Sequence, residues 1–423
     1  MTAASANPPK RFRYNATLAI VIAMIAGVVA GLIGGPAMAE IKFLGDIFFR
    51  LIQMGIVPFV MCQIIEAVGS LTGKQLGSIG IKAVVAFLVS SLLASAFGLL
   101  STWVFQPGAG LSETELVQTA TTDLTATTTT IQDTLTGFFS SNIVSSMGSG
   151  AMVPCIVFAI FFGIGISVYR TNISEDCVLY QGIREVNEVL LTIIRIVMNV
   201  APIGIFAYVS ASIGELGIDI LIPIGKYILV LFFATLIFTA VWIVVVSVYC
   251  KLPVTKLVPK LGRMTVLAAA SISSAVTLPT EMEDAKNKIG IQDEVANLVL
   301  PLGMPLNSNG SALHMACTAL FVAQMYNIEF AGGALVYVCV IAWLLSLANA
   351  VAPGATLISL TMLMPALGLP IEAVAILGGL EYIVAAIRTT LNVNSDVFCA
   401  LLVAKSEAAI DYDVFNGTKA REA

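Results

Sequence analysis

Long stretches without any charged side chain recur along this sequence and restrict what the chain can fold into. Ala83 to Leu111, Asn142 to Tyr169 and Phe330 to Ile371 contain no Asp, Glu, Lys or Arg. An apolar stretch of about 20 residues can cross the hydrocarbon core of a bilayer as a helix. Of 423 residues, 58% are hydrophobic and 11% charged, and the mean hydropathy is +0.95. The sequence therefore predicts an all-α polytopic membrane protein that lies in a lipid bilayer.

Net charge and cysteine spacing argue against two other kinds of protein. The net charge is -5 and the pI is near 5.1, which does not favour a polyanionic partner, so we expect no nucleic-acid binding. The seven cysteines are scattered, without the close spacing of a metal site or a disulfide framework. We interpret them as packing residues.

The distribution of basic residues predicts the orientation of the chain in the membrane. Lys10, Arg11 and Arg13 precede the first apolar span, and cytoplasmic segments carry an excess of Lys and Arg. Every later inner loop is basic and every outer loop is acidic or neutral, which fits six crossings. We therefore expect a multi-pass protein of the cell (inner) membrane with both termini in the cytoplasm. The six predicted spans are Asn15–Gly35, Ile41–Leu71, Ala83–Leu111, Asn142–Tyr169, Val189–Ile213 and Tyr227–Cys250.

After the sixth span, polar residues interrupt the apolar segments. Met264 to Thr280 is short and polar at its centre, and the seventh span, Val295 to Ile328, is broken at Asn307 to Ser311. Ser346 to Gly354 interrupts the next long apolar run. Irregular backbone at membrane depth is tolerated only where protein buries it or where it lines a cavity. The pattern predicts two re-entrant hairpins that enter from opposite faces, as in a secondary transporter with a site near the midplane.

The last apolar segment carries a polar stripe. Glu381, Arg388, Asn392 and Asp396 fall within roughly one face of a helix. An ionisable residue at membrane depth is a functional candidate, because its burial is costly unless it faces a partner or a cavity. Arg388 is thus the first candidate to bind an anionic ligand. The alternative is an Arg388 neutralised by Glu381 or Asp396 in a packing role.

These motifs together resemble one known family, the dicarboxylate/amino acid:cation symporters, which include the archaeal aspartate transporters and the glutamate transporters. The resemblance covers most of the chain and rests on Leu278-Pro279, Pro301-Leu302-Gly303, Asn307 to Ser311, Pro353-Gly354-Ala355, and Arg388-Thr389 followed by Asn392 and Asp396.

The resemblance implies a fold and an assembly. It implies eight transmembrane helices, two re-entrant hairpins, a homotrimer and an elevator-like movement of a transport domain against a scaffold. Residues 1–82 and 112–225 would hold scaffold helices 1, 2, 4 and 5, with an outer loop. Residues 83–111 and 226–423 would hold helix 3 and the transport core.

The resemblance also implies which residues bind a small carboxylate substrate. Arg388 matches the family arginine that binds a substrate carboxylate, and Thr389 and Asn392 match polar contacts to the rest of the substrate. The other expected members of the site lie at the hairpin tips and on the seventh and eighth helices: Ser273, Ser274, Ser311, Ala350, Gly354 and Ala385.

Sodium is the coupled cation that the resemblance implies. Asp396 and the backbone of Gly303, Asn307 and Asn392 resemble one sodium site, which suits a hard cation that takes oxygen ligands. A second site is implied around Pro305 and the outer hairpin, at Ser346, Leu347 and Asn349. The number of sodium ions is left open, and so is a proton in place of one of them.

Departures from the family pattern bear on the substrate. Where the amino-acid transporters place an aspartate three residues before the arginine, this chain has Ala385, so no carboxylate remains there for a substrate ammonium. The family also has a deep third sodium site, and Asn309 stands where that site has a carboxylate. Ser90 and Ser91 resemble the pair of hydroxyl groups in the same site, and Phe87 replaces a tyrosine of the site. We interpret His314 as a neutral, hydrogen-bonded packing residue.

The sequence thus predicts a symporter of a dicarboxylate, with an acidic or neutral amino acid as the alternative substrate. An anion channel would need polar groups along several spans, but here they cluster at one depth. An intramembrane hydrolase would need a nucleophile and a base, and no catalytic motif surrounds Ser274 or His314. We therefore expect no enzymatic activity.

Overall fold

The computed structural model describes residues 16–70, 73–109, 136, 139–216, 221–330, 332–347, 355–378 and 380–418, and these residues are almost entirely helical. The basic N-terminal residues, the Thr-rich segment up to residue 135 and residues 348–354, the predicted tip of the second hairpin, lie outside them. The helices are α1 Ala16–Gly34, α2 Lys42–Gly69, α3 Gly73–Phe105, α4 Ile143–Gly148, α5 Met152–Asn172, α6 Val178–Met198, α7 Ala201–Leu216, α8 Leu221–Cys250, α9 Val254–Ser271, α10 Ser274–Asp284, α11 Asp293–Leu306, α12 Asn309–Met325, α13 Gly333–Ser346, α14 Ala355–Ala366, α15 Ala373–Gly378, α16 Glu381–Ser406 and α17 Tyr412–Asn416.

The outer surface of the helices is apolar, as expected for a protein surrounded by lipid. Large aliphatic and aromatic side chains such as Ile33, Phe105 and Val248 are exposed. In the described part of the chain, four helical segments are long and apolar enough to cross a membrane: Ile22–Leu51, Ser78–Phe105, Pro154–Asn172 and Leu221–Cys250. A fifth results if the bent pair α6 and α7 is one span. The predicted all-α membrane class is therefore confirmed at this level.

Several expected boundaries differ from the structure. The fifth span was expected to begin at Val189, but α6 begins at Val178. Helix α3 begins at Gly73 and not at Ala83, so Lys82 lies within the helix and not in a loop. Lysine is a good helix former, and its long aliphatic stem can lie along the helix while the ammonium reaches the interface. Helix α8 begins at Leu221, six residues before the expected start at Tyr227.

Breaks in the helices lie close to the polar and proline-containing positions. The expected broken fourth segment is α4 and α5, which end and begin on either side of Ser149 to Ala151. Helices α6 and α7 meet at an angle of 52° across Asn199 and Val200, just before Pro202. Proline has no backbone N–H to donate to the preceding turn, which favours a kink there.

The helices pack in two groups. In the first, α1 and α2 pack against α7, and α2 also packs against α5 and α6. In the second, α16 lies among α3, α8, α9, α10, α11 and α12, and α13 packs against α3 and α12. Helix α14 contacts both groups, and α15 packs against α7 and α14. Because α16 lies at the centre of the second group, its buried polar side chains face other protein elements.

Candidate functional site

The site is built along α16. Its side chains at Arg388 and Asp396 are 6% and 1% exposed, and Thr389 and Ala385 are also buried, while Asn392 is half-buried. Eight residues of helix separate Arg388 from Asp396, or about 12 Å along the axis. One helix therefore presents a cation and an anion at two depths within the protein.

A break between α11 and α12 faces Asp396. Pro301 and Pro305 lie inside α11 and cannot donate to the preceding turn, and Asn307 and Ser308 have non-helical backbone angles. The Asn307 amide nitrogen Nδ2 donates to Asp396 Oδ1 at 2.7 Å and to Ser395 Oγ at 3.2 Å. On the turn before the break, a Cβ at Gly303 would lie 2.7 Å from Asp396 Oδ1. The predicted cation residues Gly303, Asn307 and Asp396 thus lie together.

The beginning of α12 contacts α16 close to Arg388. The Gly310 backbone N–H, one of the unpaired donors of a helix start, donates to Asn392 Oδ1 at 2.7 Å. A Cβ at Gly310 would overlap the carbonyl oxygen of Arg388, so only glycine permits this approach of α12 to α16. Ser311, the next residue, is fully buried.

Helix α3 closes the site from a further side through Ser90. The Ser90 hydroxyl lies 3.0 Å from both Asn307 Oδ1 and Asn309 Oδ1, and the Cys399 thiol lies 3.5 Å from the hydroxyl oxygen. Both Ser90 and Ser91 donate to the Phe87 carbonyl, and Ser91 also accepts from Trp343 Nε1 of α13 at 3.1 Å. Of the two serines, only Ser90 contacts the break.

The predicted tip of the first hairpin lies between α9 and α10, which pack against each other and against α16. Ile272 ends α9 in a left-handed conformation, with a φ of 55°. Ser273 caps α10 by accepting from the Val276 N–H at 3.3 Å. Ser274 is buried at the first position of α10. The described hydrogen bonds of Ser273 are thus local, with its own turn and with Ser271.

Only part of the predicted second cation site is described. Pro305 lies within α11, and Ser346 ends α13 with its hydroxyl donating to the Trp343 carbonyl at 2.6 Å. The Leu347 N–H donates to the Leu344 carbonyl. Asn349, Ala350 and Gly354 lie outside the described residues.

One residue of this region was missed by the sequence reasoning, which assigned Glu281 to the cytoplasmic side together with Glu283 and Asp284. The Glu281 side chain is 1% exposed and lies on α10, which packs against α16, the helix that carries Asp396. Helical spacing could have identified it. The buried face of α10 consists of residues three or four positions apart: Ser274, Thr277, Glu281 and Asp284.

The interpretation of His314 was partly wrong. The ring is buried as expected, but within the described residues neither ring nitrogen has a hydrogen-bond partner. A hydrogen-bonded packing role therefore does not describe it.

Comparison with known proteins gives these residues a context. The sequence matches the sodium:dicarboxylate symporter family over residues 16–406. It is 29% identical over 397 residues to a proton/sodium-glutamate symport protein of Bacillus caldotenax, which covers 92% of this chain and 93% of the relative. A proton/glutamate-aspartate symporter of Escherichia coli is 31% identical over 375 residues, 87% of this chain and 85% of the relative.

A third relative is named for a different substrate. The C4-dicarboxylate transport protein of Deinococcus radiodurans is 28% identical over 414 residues, 95% of this chain and 91% of the relative. These relatives are transporters and not enzymes, in agreement with the expectation from the sequence. The chain belongs to the sodium:dicarboxylate symporter family.

Proposed function

We propose that this protein is a secondary-active symporter that carries a small dicarboxylate without an amino group, driven by sodium. Relatives are named for glutamate, for aspartate and for C4-dicarboxylates, so family membership alone does not select the substrate. The observation that carries the choice is Ala385, a buried methyl group one turn before Arg388 on α16.

Charge complementarity supports this choice. A planar guanidinium binds a carboxylate with two parallel hydrogen bonds, so Arg388 suits an anionic group of the substrate. A substrate ammonium would need its own counter-charge, since a desolvated cation without one is costly. The described buried carboxylates are Glu281, Asp284 and Asp396, and none lies within a turn of Arg388 on α16. The arrangement therefore favours a dianion over a zwitterion.

The oxygen atoms at the break between α11 and α12 support the proposed cation coupling. Asp396 supplies a carboxylate, and non-helical backbone at Asn307 and Ser308 frees carbonyl oxygens from the helical pattern. Hard cations prefer such oxygens. In our proposal one sodium ion binds near Gly303, Asn307, Asn392 and Asp396, and a second near Pro305 and residues 346–349. A proton in place of one ion is the alternative, since the relatives are named for both cations.

The proposal extends to the architecture and the movement. We infer eight membrane helices and two re-entrant hairpins, with the paired helices α9 and α10 as the first hairpin and α13 and α14 as the second. The first helix group, within residues 1–82 and 112–225, would be the scaffold of a homotrimer in the cell membrane with cytoplasmic termini. The second group, which corresponds to the predicted ranges 83–111 and 226–423 with the first turns of α3 and α8 before them, would move as the transport domain. The packing of the helices in two groups supports this division.

Uptake into proteoliposomes tests the substrate and the driving ion together. We expect an imposed sodium gradient to drive uptake of succinate, malate or fumarate, and these to displace each other at lower concentration than aspartate or a neutral amino acid does. Uptake that needs a proton gradient alone would assign the proton as the coupled ion. Displacement by aspartate at far lower concentration than by any dicarboxylate would make the amino-acid alternative correct.

Ala385→Asp is the converse test. The new carboxylate should repel an amine-free dianion and attract a substrate ammonium, so the ratio of dicarboxylate to aspartate affinity should fall by about tenfold or more. Ala385→Ser is the matched control, because it adds a polar group of similar reach without charge. An equal loss of dicarboxylate affinity in both variants would show a steric effect and contradict the charge argument.

A further inference from the structure

Glu281 is a buried carboxylate in the first hairpin that the family match leaves without a role. It lies on α10, which packs against both α11 and α16. Its side chain is 1% exposed, and its Oε1 atom has no hydrogen-bond partner among the described residues. Buried carboxylate oxygens normally find a donor, so an oxygen without one calls for an explanation.

Asp284, one turn further along α10, shows how this chain satisfies a buried carboxylate. It is fully buried, and its Oδ1 atom pairs with Lys288 Nζ at 2.7 Å and with Arg263 Nη1 at 3.4 Å, although its Oδ2 atom has no hydrogen-bond partner among the described residues. Glu281 has no such basic partner in the described part of the chain. The neighbouring acidic group is Asp396, which lies on α16, and α16 packs against α10.

A comparison of buried acidic and buried basic side chains also indicates that Glu281 lacks a positive partner. Four Asp, Glu, Lys or Arg side chains are buried in the described residues: Glu281, Asp284, Arg388 and Asp396. Asp284 has its own basic partners, which leaves Glu281 and Asp396 against Arg388 alone. A substrate carboxylate on Arg388 would neutralise that cation, and no other buried Lys or Arg of the described residues would then offset the two acidic groups. A cation between them would supply that positive charge.

We propose that Glu281 is a ligand of a coupled sodium ion, which it shares with Asp396 across the interface between α10 and α16. This inference rests on the proposed function and adds to it a ligand from the first hairpin. Two carboxylates and the carbonyl oxygens of the helix break form an all-oxygen set that suits a hard monovalent cation. The ion would then hold the first hairpin against α16, so that hairpin and ion stay together during transport.

The test is a sodium titration of purified protein, read without any transport assay. We measure the increase in melting temperature on adding sodium chloride against choline chloride, and the succinate affinity as a function of sodium concentration. Glu281→Gln keeps the size of the side chain and removes the charge. We expect the half-saturating sodium concentration to rise at least about tenfold, because a charged ligand is lost. Glu283→Gln is the matched control, since Glu283 is exposed beside Glu281 and pairs with Arg263 at 3.0 Å.

Several results would overturn the inference. An unchanged sodium titration in Glu281→Gln would show that Glu281 is not a ligand. An unchanged sodium titration with a shifted pH profile of succinate binding would show that the carboxyl carries a proton instead. If Glu281→Gln does not fold, Glu281→Asp retains the charge on a shorter stem, and an unchanged sodium titration in that variant would contradict the inference as well.

Failure of this inference is distinguishable from failure of the proposed function. Parent protein that takes up no carboxylate under any sodium gradient would contradict the function. Sodium-driven uptake with normal sodium dependence in Glu281→Gln would contradict only the role of Glu281.

Discussion

At the scale of single residues, the proposed function rests on two opposite charges on one helix. Arg388 and Asp396 are both buried, and about 12 Å of helix axis separates them. In the proposal, a substrate carboxylate binds at Arg388 and a cation binds at Asp396. Both ligands would then bind to the same helix, which gives a physical reason for the proposed coupling.

Arg388→Lys tests the guanidinium without removing the positive charge. A lysine ammonium cannot form the two parallel hydrogen bonds of a guanidinium, so we expect dicarboxylate affinity to fall by about tenfold or more. Isothermal titration with succinate at saturating sodium measures it. Arg263→Lys is the control, since Arg263 is an exposed arginine that pairs with Glu283. Normal substrate affinity in Arg388→Lys would show that a positive charge is enough to bind the substrate and that the two parallel hydrogen bonds of a guanidinium are not needed.

Asp396→Asn tests the coupling. Binding linkage is reciprocal, so if sodium raises substrate affinity by some factor, the substrate raises sodium affinity by the same factor. We expect the variant to keep its fold, to bind substrate more weakly, and to lose most of the sodium dependence of that binding. Titrations of each ligand at several concentrations of the other measure the factor. Substrate affinity that is independent of sodium in the parent protein would exclude coupling altogether.

At the scale of secondary-structure elements, the site depends on one close approach. Helix α12 begins against α16, where the Gly310 N–H binds Asn392 and the Gly310 Cα faces the Arg388 carbonyl. The unwound residues before α12 face Asp396 through Asn307. A displacement of α12 would therefore alter the surroundings of the anion site and of the cation site together.

Gly310→Ala should disturb both sites at once. Its Cβ would overlap the Arg388 carbonyl oxygen, and the backbone shift that relieves such a clash typically costs about 1–3 kcal/mol. We expect a lower melting temperature and weaker binding of both succinate and sodium. Gly262→Ala is the control within α9, because no atom lies within 4 Å of its new Cβ. That change should be neutral, or stabilising by up to about 1 kcal/mol. Equal effects of the two substitutions would contradict the close approach.

The elements differ in how far the sequence predicts them. The break at Asn307 was predictable because polar residues and prolines interrupt an apolar run, and polar backbone in a membrane needs a buried place. The start of α3 was not predictable. The charge of Lys82 favours a loop in a sequence-based prediction, but Lys82 lies within the helix. Glu281 was missed for a related reason. Three acidic residues lie close together in sequence, and only packing decides that Glu281 and Asp284 face inward while Glu283 faces out.

At the scale of the whole molecule, side-chain contacts connect helices of the second group on the side predicted to face the cytoplasm. Lys82 of α3 binds Glu407, just after α16, at 2.5 Å, and Ser78 donates to the same carboxylate at 3.3 Å. Tyr412 of α17 donates to the Cys250 carbonyl at the end of α8. These contacts connect three helices of the group.

The Lys82 contact should make stability depend on pH. The hydrogen bond from Lys82 holds the pKa of Glu407 below its ordinary value of 4.5. A lowered carboxyl pKa contributes stability above pH 4.5, and this contribution is lost as the pH falls through the folded-state pKa. The melting temperature of the parent should thus exceed that of Glu407→Gln at pH 7 by a small, salt-sensitive amount, and the difference should shrink as the pH falls below 4.5 and through the folded-state pKa.

A double-mutant comparison checks that pH prediction. Lys82→Gln should lower the melting temperature about as much as Glu407→Gln does, and the two changes together should lower it little further. Fully additive losses would show that the two side chains stabilise the protein independently.

The hydrogen bond between the Trp343 indole and Ser91 provides a built-in optical probe. The chain has three tryptophans, and the other two, Trp103 and Trp242, lie on α3 and α8. With both replaced by phenylalanine, all indole emission would come from the helix that leads into the second hairpin. Indole emission shifts to longer wavelength when the ring becomes hydrated. A shift on adding sodium or substrate would therefore report, in real time and without a label, whether that hairpin separates from α3.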